Sequence, residues 1–316
     1  MRYVSRCLRL WLSLADMNGK MNSPEGGEAC LAVYAGLYED TPENKDLVIE
    51  EGILEIAENA FRDFSCLETI KLPRSLKKIS ACAFAGCKNL KKVEMQLGVE
   101  EILDEAFSSC SSLCQIDIPD SVKRLGEGCF EACASLSRIK LSESVTMIGS
   151  GAFAYCFNLT DVYIPDSCIL VEFNAFAGCF SLESVKLSDN MGLIDESTFE
   201  GCRSLKVVDM PTRLSRIGRR AFAGCSSLCS LILPFGVKAI GFDAFAGCSA
   251  LSRIAIPKDV CEIEDYDVFG GCDRLTEISF GGTRERWESL MGGRALTVQH
   301  SDCTVTTPTV SFMNME

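Results

Sequence analysis

Phenylalanine recurs along most of the chain at a fixed interval. The spacing is 23 residues from Phe61 to Phe245, and Phe269 follows after 24. The ten members are Phe61, Phe84, Phe107, Phe130, Phe153, Phe176, Phe199, Phe222, Phe245 and Phe269. A repeat of this length is typical of a solenoid, in which short coils stack and bury the apolar face that none of them can cover alone.

Each copy has the pattern Leu-x-x-Ile-x-Leu, which begins six residues after its phenylalanine. The two apolar residues that are two positions apart point the same way from a strand, so each coil is predicted to contain one short strand. Proline ends this strand in six copies, because it cannot donate to the next ladder bond. A second apolar pair follows, such as Val122 and Leu125, and then a tight turn. Ala-Phe is predicted to open a short helical turn.

Cysteine stands three residues after phenylalanine in nine of the ten copies, and the first copy has Phe64 there instead. A position that accepts phenylalanine at the end of the stack is a packing position, so these thiols are predicted to be buried and reduced. Rungs about 5 Å apart would still allow disulfides geometrically.

The composition is that of a folded protein, with 47% hydrophobic and 24% charged residues. A formal net charge of −13 argues against nucleic-acid binding and against docking on anionic lipid. No apolar run is long enough to insert across a membrane. The start MRYVSRCLRLWLSLADMNGK resembles a secretion signal only faintly, since Arg9 splits its apolar part.

These residues resemble the BspA-like (treponemal-type) leucine-rich repeats. LCQIDIPDSVKRLGEGCFEAC, from Leu113 to Cys133, follows that pattern almost position by position, and the similarity covers residues 47–281. FGGTRERWESL, from Phe280 to Leu290, is similar to a segment that closes such arrays. Gln96, Ser142, Ser188 and Gly281 depart from the family's proline, and the last copy has one extra residue around Glu264–Asp267.

The resemblance implies an α/β-type solenoid, a right-handed superhelix of ten repeats with a parallel β-sheet on its concave face. Many relatives are surface or secreted proteins of bacteria and some parasitic protists, linked to adhesion, and the family pattern has no catalytic residues. The resemblance therefore favours the cell surface or secretion, whereas the lack of a convincing signal peptide favours the cytoplasm.

Three regions are predicted. Residues 1–45 form an N-terminal segment with little order, residues 46–281 form the repeat solenoid, and residues 282–316 form a C-terminal cap and tail. In RERWESLM, the spacing of Trp287, Leu290 and Met291 places them on one helical face, as a lid on the last coil.

The sequence offers little for catalysis, and the chain is predicted not to be an enzyme and to hold no metal or cofactor. The three Cys-x-x-x-Cys pairs (Cys110/Cys114, Cys129/Cys133 and Cys225/Cys229) each include a repeat cysteine, and zinc-type spacing is absent. His300 is the only histidine. Basic clusters at Lys88, Lys91 and Lys92 and at Arg213, Arg216, Arg219 and Arg220 leave an anionic ligand as a minor alternative.

The informative surface is the concave one, where the residues that flank the buried strand position face outward. The proposed ligand-binding residues are Arg138, Lys140, Asp161, Tyr163, Lys186, Val207, Asp209 and Ile232. Apolar side chains such as Tyr163, Val207 and Ile232 that lie together outside the core can mark a partner site.

We therefore predict a non-catalytic scaffold that binds a protein or glycan ligand on its concave face, in cell-surface adhesion or host interaction. The alternative is a structural or assembly module that acts through its terminal segments. In that case, removal of residues 1–45 or 282–316 would change the oligomeric state.

Overall fold

The computed structural model describes residues 33–36, 38–264, 268–292, 297–300 and 304–312. The chain winds into a parallel β-solenoid, as the repeat predicts. The extra residue expected around Glu264–Asp267 falls partly on residues 265–267, which lie outside the described residues.

The predicted strand of each coil forms a first parallel ladder with its neighbours, in which the middle residue is buried and the residues beside it face outward. Its strands are Asp46–Val48, Thr69–Lys71, Lys92–Glu94, Gln115–Asp117, Arg138–Lys140, Asp161–Tyr163, Ser184–Lys186, Val207–Asp209, Ser230–Ile232, Arg253–Ile256, Glu277–Phe280 and Thr309–Phe312.

A second parallel ladder, which was not predicted from the sequence, forms where the second apolar pair of each coil ends. For example, Arg124–Leu125, which contains the second residue of the pair Val122 and Leu125, is paired with Met147–Ile148. Its strands are Val33–Tyr34, Glu55–Ile56, Lys78–Ile79, Glu101–Ile102, Arg124–Leu125, Met147–Ile148, Leu170–Val171, Leu193–Ile194, Arg216–Ile217, Ala239–Ile240 and Glu262–Ile263. Each of these strands has two residues, of which one is buried in most coils. Two residues are too few to show the alternation of apolar and polar positions that predicts a strand from sequence.

The first ladder is not continuous. Within the described residues, strand pairing stops between Lys92–Glu94 and Gln115–Asp117, between Arg138–Lys140 and Asp161–Tyr163, and between Val207–Asp209 and Ser230–Ile232. The second ladder has one such break, between Leu170–Val171 and Leu193–Ile194. The strand surface is therefore divided into segments.

The prediction of a helical turn at Ala-Phe is wrong. The Phe84 N–H donates to the Ala106 carbonyl of the next coil (2.7 Å), whereas the Ala85 N–H donates to Cys82 within its own coil (3.1 Å). An α-helix would keep every bond inside the coil. The alternation requires left-handed backbone two residues before and after phenylalanine, at Cys82 (φ 54°) and Gly86 (φ 75°). This explains the glycine in Ala-Phe-Ala-Gly-Cys.

The ten phenylalanines form one continuous stack at the centre of the solenoid. Each is at most 1% exposed, and successive ring centroids are 5.0–5.7 Å apart with planes within 15° of parallel. Burial of each ring contributes roughly 1.5–3 kcal/mol, to which the ring contacts add. Since each ring from Phe61 to Phe245 lies between two others, the stability of a coil depends on its neighbours.

The repeat cysteines form a second buried column, which confirms their interpretation as packing residues. Each thiol also donates a weak hydrogen bond to the phenylalanine carbonyl of the preceding coil, with Sγ–O distances from 3.0 Å at Cys87 to 3.3 Å at Cys225. Cysteine therefore fits the position by size and by its donor.

Different elements border the two ends of the repeat region. The Tyr34 ring lies on Phe61, with centroids 5.0 Å apart and planes at 8°. At the other end an α-helix, Arg284–Leu290, begins at Thr283, whose Oγ1 accepts the Arg286 N–H. Trp287 and Met291 are buried, and Trp287 lies 5.2 Å from Phe280 between ring centroids. The helix packs against Phe280, and the role of residues 282–316 as a cap stays a prediction.

The remaining described elements lie at the termini. A 3-10 helix, Pro42–Asn44, precedes the first three-residue strand, and Val298–Gln299 pairs antiparallel with Val305–Thr306. Val33–Tyr34 joins the second ladder although it precedes residue 46. The division into regions at residues 45 and 281 stays a prediction, and residues 1–32 lie outside the described residues. No helix in the described ranges is long and apolar enough to span a bilayer.

Phe153→Ala tests the central stack. Loss of a fully buried ring between Phe130 and Phe176 is expected to lower the free energy of unfolding by about 3–5 kcal/mol, measured by urea denaturation. Phe157→Ala is the matched control, since that ring is 38% exposed, and it should cost less than half as much. Equal losses for the two variants would contradict the central role of the stack.

Candidate functional site

The outward residues of the first ladder form a surface that we call the strand face. All eight proposed binding residues lie on it and are exposed, as expected. Asp161 and Tyr163 flank Val162, which is buried at 4%, and the same order recurs in the other strands. Their placement follows from strand alternation. Their role in binding is taken up below.

Five of the eight residues lie on one unbroken set of strands. Tyr163 pairs with Lys186, which pairs with Asp209 in the next strand. The Lys186 ammonium lies 5.1 Å from the Tyr163 ring centroid, a cation–π contact. A row of aromatic, positive and negative groups therefore crosses three coils.

The neighbouring row begins with Asp161 and ends with Val207. Asp161 accepts hydrogen bonds from Ser184 (2.9 Å) and Thr160 (2.8 Å), which fix its carboxylate. Val207 is 59% exposed. The site thus combines a held charge with an apolar side chain.

The breaks in the first ladder separate the other three residues from this set. Arg138 and Lys140 lie on the preceding pair of strands, and Ile232, 76% exposed, lies on the following one. Tyr163, Val207 and Ile232 therefore share a face without forming one continuous patch. Sequence alone gives no signal for these breaks.

The strand face carries shallow depressions nearer its N-terminal end. One, of about 320 Å³, is lined by Glu51, Pro73 and Gln96 among others, and one of about 300 Å³ lies at the first break, between Lys92–Glu94 and Gln115–Asp117. Neither includes any of the eight proposed residues.

The described thiols are a poor basis for nucleophilic or metal chemistry. All sixteen described cysteines are free, and the repeat cysteines are buried. Burial raises the pKa of Cys133 and Cys179 to about 12, so these thiols stay protonated and inert at neutral pH. No group of three metal-ligating side chains occurs among the described residues.

Two of the Cys-x-x-x-Cys pairs are split between the interior and the surface. Cys110 and Cys225 are buried, whereas Cys114 and Cys229 are exposed. His300 lies 3.5 Å from the Asp273 carboxylate and 2.6 Å from the Thr306 hydroxyl. The burial of Cys110 and Cys225 and the two contacts of His300 support the interpretation of these residues as structural.

The basic clusters are largely neutralised within the chain. Lys91 pairs with Glu68 at 2.7 Å and Lys92 with Glu94 at 2.6 Å. In the second cluster, the arginine pairs are Arg216–Glu264, Arg219–Glu196 and Arg220–Glu200. These pairs weaken the case for an anionic ligand at either cluster.

A second surface, which the repeat pattern did not predict, is formed by the residues that flank each buried phenylalanine, and we call it the turn face. Five aromatic residues are exposed on it: Tyr155, Phe157, Phe173, Phe180 and Phe242. The Phe157 and Phe180 rings stack at 5.0 Å, and the Arg203 guanidinium lies 4.7 Å from the Phe180 centroid. The available signal was that these residues depart from the repeat consensus.

Two equivalent carboxylates on the turn face have opposite pKa shifts. Glu131 and Glu200 each follow a buried phenylalanine by one residue. Burial, then the charges of Glu105 and Glu127, raise the pKa of Glu131. The hydrogen bond from Arg220 lowers the pKa of Glu200. The coil after Glu200 places Arg220 beside that carboxylate. The coil after Glu131 has Gly151 at the equivalent position.

Residues 54–182 and 169–290 match the family description "BspA type Leucine rich repeat region", in six copies. The chain is 28% identical to a leucine rich cell surface protein from Faecalibacterium prausnitzii, over 78% of this chain and 81% of that one, with a TM-score of 0.41. It is 29% identical to the leucine rich repeat protein of T. pallidum, over 59% and 78% of the two chains, with a TM-score of 0.45. No curated protein matches the chain.

Glu131→Gln and Glu200→Gln are expected to change stability in opposite directions at pH 7. Because the pKa of Glu131 is raised in the folded state, ionisation of this carboxyl destabilises the fold as pH rises through that pKa. The Glu131→Gln variant, which cannot ionise there, should therefore be more stable than wild type at pH 7. A lowered pKa means that ionised Glu200 stabilises the fold and that this contribution is lost as pH falls. Both differences should shrink toward pH 4 in thermal unfolding. Shifts of the same sign at pH 7 would contradict this account.

Alkylation of the native protein at pH 8, mapped by mass spectrometry, tests the thiol assignment. Cys114, Cys229 and Cys261 are exposed and should react first, whereas the repeat cysteines should react only after unfolding. Labelling of Cys133 or Cys179 at the rate of Cys114 would show that the cysteine column is open.

Proposed function

The chain belongs to the BspA-type leucine-rich repeat family, and we propose that it is a non-catalytic scaffold that binds a protein across its strand face. Members of this family are in general repeat scaffolds without catalytic machinery. The observation that carries the proposal is the row Tyr163–Lys186–Asp209, with exposed Val207 and Ile232 beside it. Stacked coils hold these side chains in fixed register.

The shape of this surface suits a macromolecule. The part from Arg138 to Ile232 spans five coils, roughly 20 Å at a strand spacing of about 4.8 Å. Apolar residues among charges of both signs are typical of a protein interface, in which the apolar groups supply affinity and the charges supply orientation.

A protein ligand is favoured over a glycan by the position of Lys186. Aromatic rings bind sugars by stacking, which requires an open ring face. The ammonium group of Lys186 lies over the Tyr163 ring, 5.1 Å from its centroid, and occupies one of its faces. The ring and the ammonium together present a combined apolar and charged contact.

The alternative, an assembly module that acts through the terminal segments, gains little support from the described residues. Tyr34 covers the first phenylalanine as a cap would, and the Trp287 helix packs against Phe280. We place the function at the cell surface or outside the cell, as family membership favours. Protease treatment of intact cells tests that location.

Tyr163→Ala combined with Ile232→Ser should weaken partner binding about tenfold or more and leave the melting temperature unchanged, because both side chains are exposed. The partner is first captured by a photoreactive amino acid at Asp209 and identified by mass spectrometry, and its affinity is then measured by calorimetry. Ile169→Ser is the matched control, since that side chain is 65% exposed and lies off the strand face. Equal weakening by Ile169→Ser, or binding unchanged in the double variant, would overturn the proposal.

A further inference from the structure

The turn face contains a depression of about 240 Å³ whose two walls differ in chemistry. Glu105, Glu127 and Glu131 line one side, and Tyr155 and Phe173 line the other. Its floor is formed by residues with small or no side chains: Gly128, Gly151, Ala154 and Ala177. Carboxylates that face aromatic rings across a narrow gap are complementary to an organic cation.

The chain has an equivalent set of residues exactly three coils later, where the gap is filled. Glu196 and Glu200 occupy the positions of Glu127 and Glu131, and Phe242 occupies the position of Phe173. Between them lies Arg219, with its Nε 3.9 Å from Glu196 and its guanidinium carbon 5.4 Å from the Phe242 centroid. The repeat itself thus shows an arginine held between this carboxylate and this ring.

The next arginine completes the filled arrangement. Arg220 donates to Glu200 at 2.6 Å and lies 3.7 Å from Asp243. In the depression, Ser150 and Gly151 take the places of Arg219 and Arg220. Among the described residues, Glu105, Glu127 and Glu131 have no ion-pair partner, and burial, followed by the charges of Glu105 and Glu127, raises the pKa of Glu131.

Tyr155 adds a wall that the filled arrangement lacks. It stands where six other copies have glycine, and its backbone is left-handed (φ 61°), which is unfavourable for a bulky residue. Its ring lies over Gly178, where a Cβ would come within 2.7 Å of the tyrosine ring. Strained residues of this kind tend to occur at functional sites.

We propose that this depression is a docking site for an arginine side chain presented by a basic segment of a partner protein. The guanidinium would lie where Arg219 lies three coils later, between Glu127 and Phe173, and Tyr155 would close the site. The site is separate from the strand face and does not depend on the function proposed above.

The test uses two synthetic peptides, acetyl-Gly-Arg-Gly-amide and its citrulline counterpart, which has the same shape without the charge. The full chain is labelled with ¹³C in its tyrosine and phenylalanine rings, and the rings are followed by NMR during titration. The arginine peptide should shift the Tyr155 and Phe173 resonances saturably. The citrulline peptide should bind with an affinity lower by a factor of about five or more. Equal binding of the two peptides would overturn the proposal, as would the absence of a saturable shift.

Three variants locate the effect. Ser150→Arg introduces the residue type found at Arg219, so it should fill the depression and abolish peptide binding. Tyr155→Gly restores the repeat residue, so it should fold normally and bind about fivefold more weakly. Glu127→Gln with Glu131→Gln should also weaken binding about fivefold.

The control for overall charge is Glu50→Gln with Glu288→Gln, which removes the same two charges from exposed positions elsewhere. This variant should bind the arginine peptide as wild type does. If it loses as much affinity as the Glu127/Glu131 variant, or if Ser150→Arg still binds, the attraction is a general effect of the acidic surface and the proposed site is wrong.

Discussion

The structure depends on hydrogen bonds and ring contacts that run between coils. A coil of 23 residues is too short to bury its own phenylalanine, and its Phe amide finds its acceptor in the following coil, as with Phe84 and Ala106. Stacking supplies both, because each ring from Phe61 to Phe245 lies between two others and each thiol donates to the coil before it. The two ladders then hold the outward side chains in register.

The sequence predicts those parts of the fold in which a chemical type recurs at a fixed position. The phenylalanine column, the cysteine column, the strand at Ile-x-Leu and the helix at Trp287 all follow from spacing and alternation. The second ladder does not, because a strand such as Arg124–Leu125 has one buried side chain and cannot show a period of two. The turn around phenylalanine was misread as helical because local spacing does not reveal that alternate amides bond to a neighbouring coil.

The candidate surfaces were predictable to different degrees. Alternation alone placed Tyr163, Lys186 and Asp209 on one face, since strand register follows from the repeat. The breaks that separate Lys140 and Ile232 from them have no sequence signal that we can identify. The depression at Glu127 and Phe173 becomes visible only when coils three apart are superimposed, because its signal is the absence of two arginines. In such a repeat, specific chemistry lies where a copy departs from the consensus while the backbone stays the same.

Amide hydrogen exchange tests the stacking of coils most directly. The account predicts that the phenylalanine amides from Phe84 to Phe222 exchange slowly with a 23-residue period, as slowly as the buried strand residues, because their acceptors lie in the next coil. Fast exchange at these amides, with protection confined to the three-residue strands, would contradict it and would mean that the coils are joined by their ladders alone.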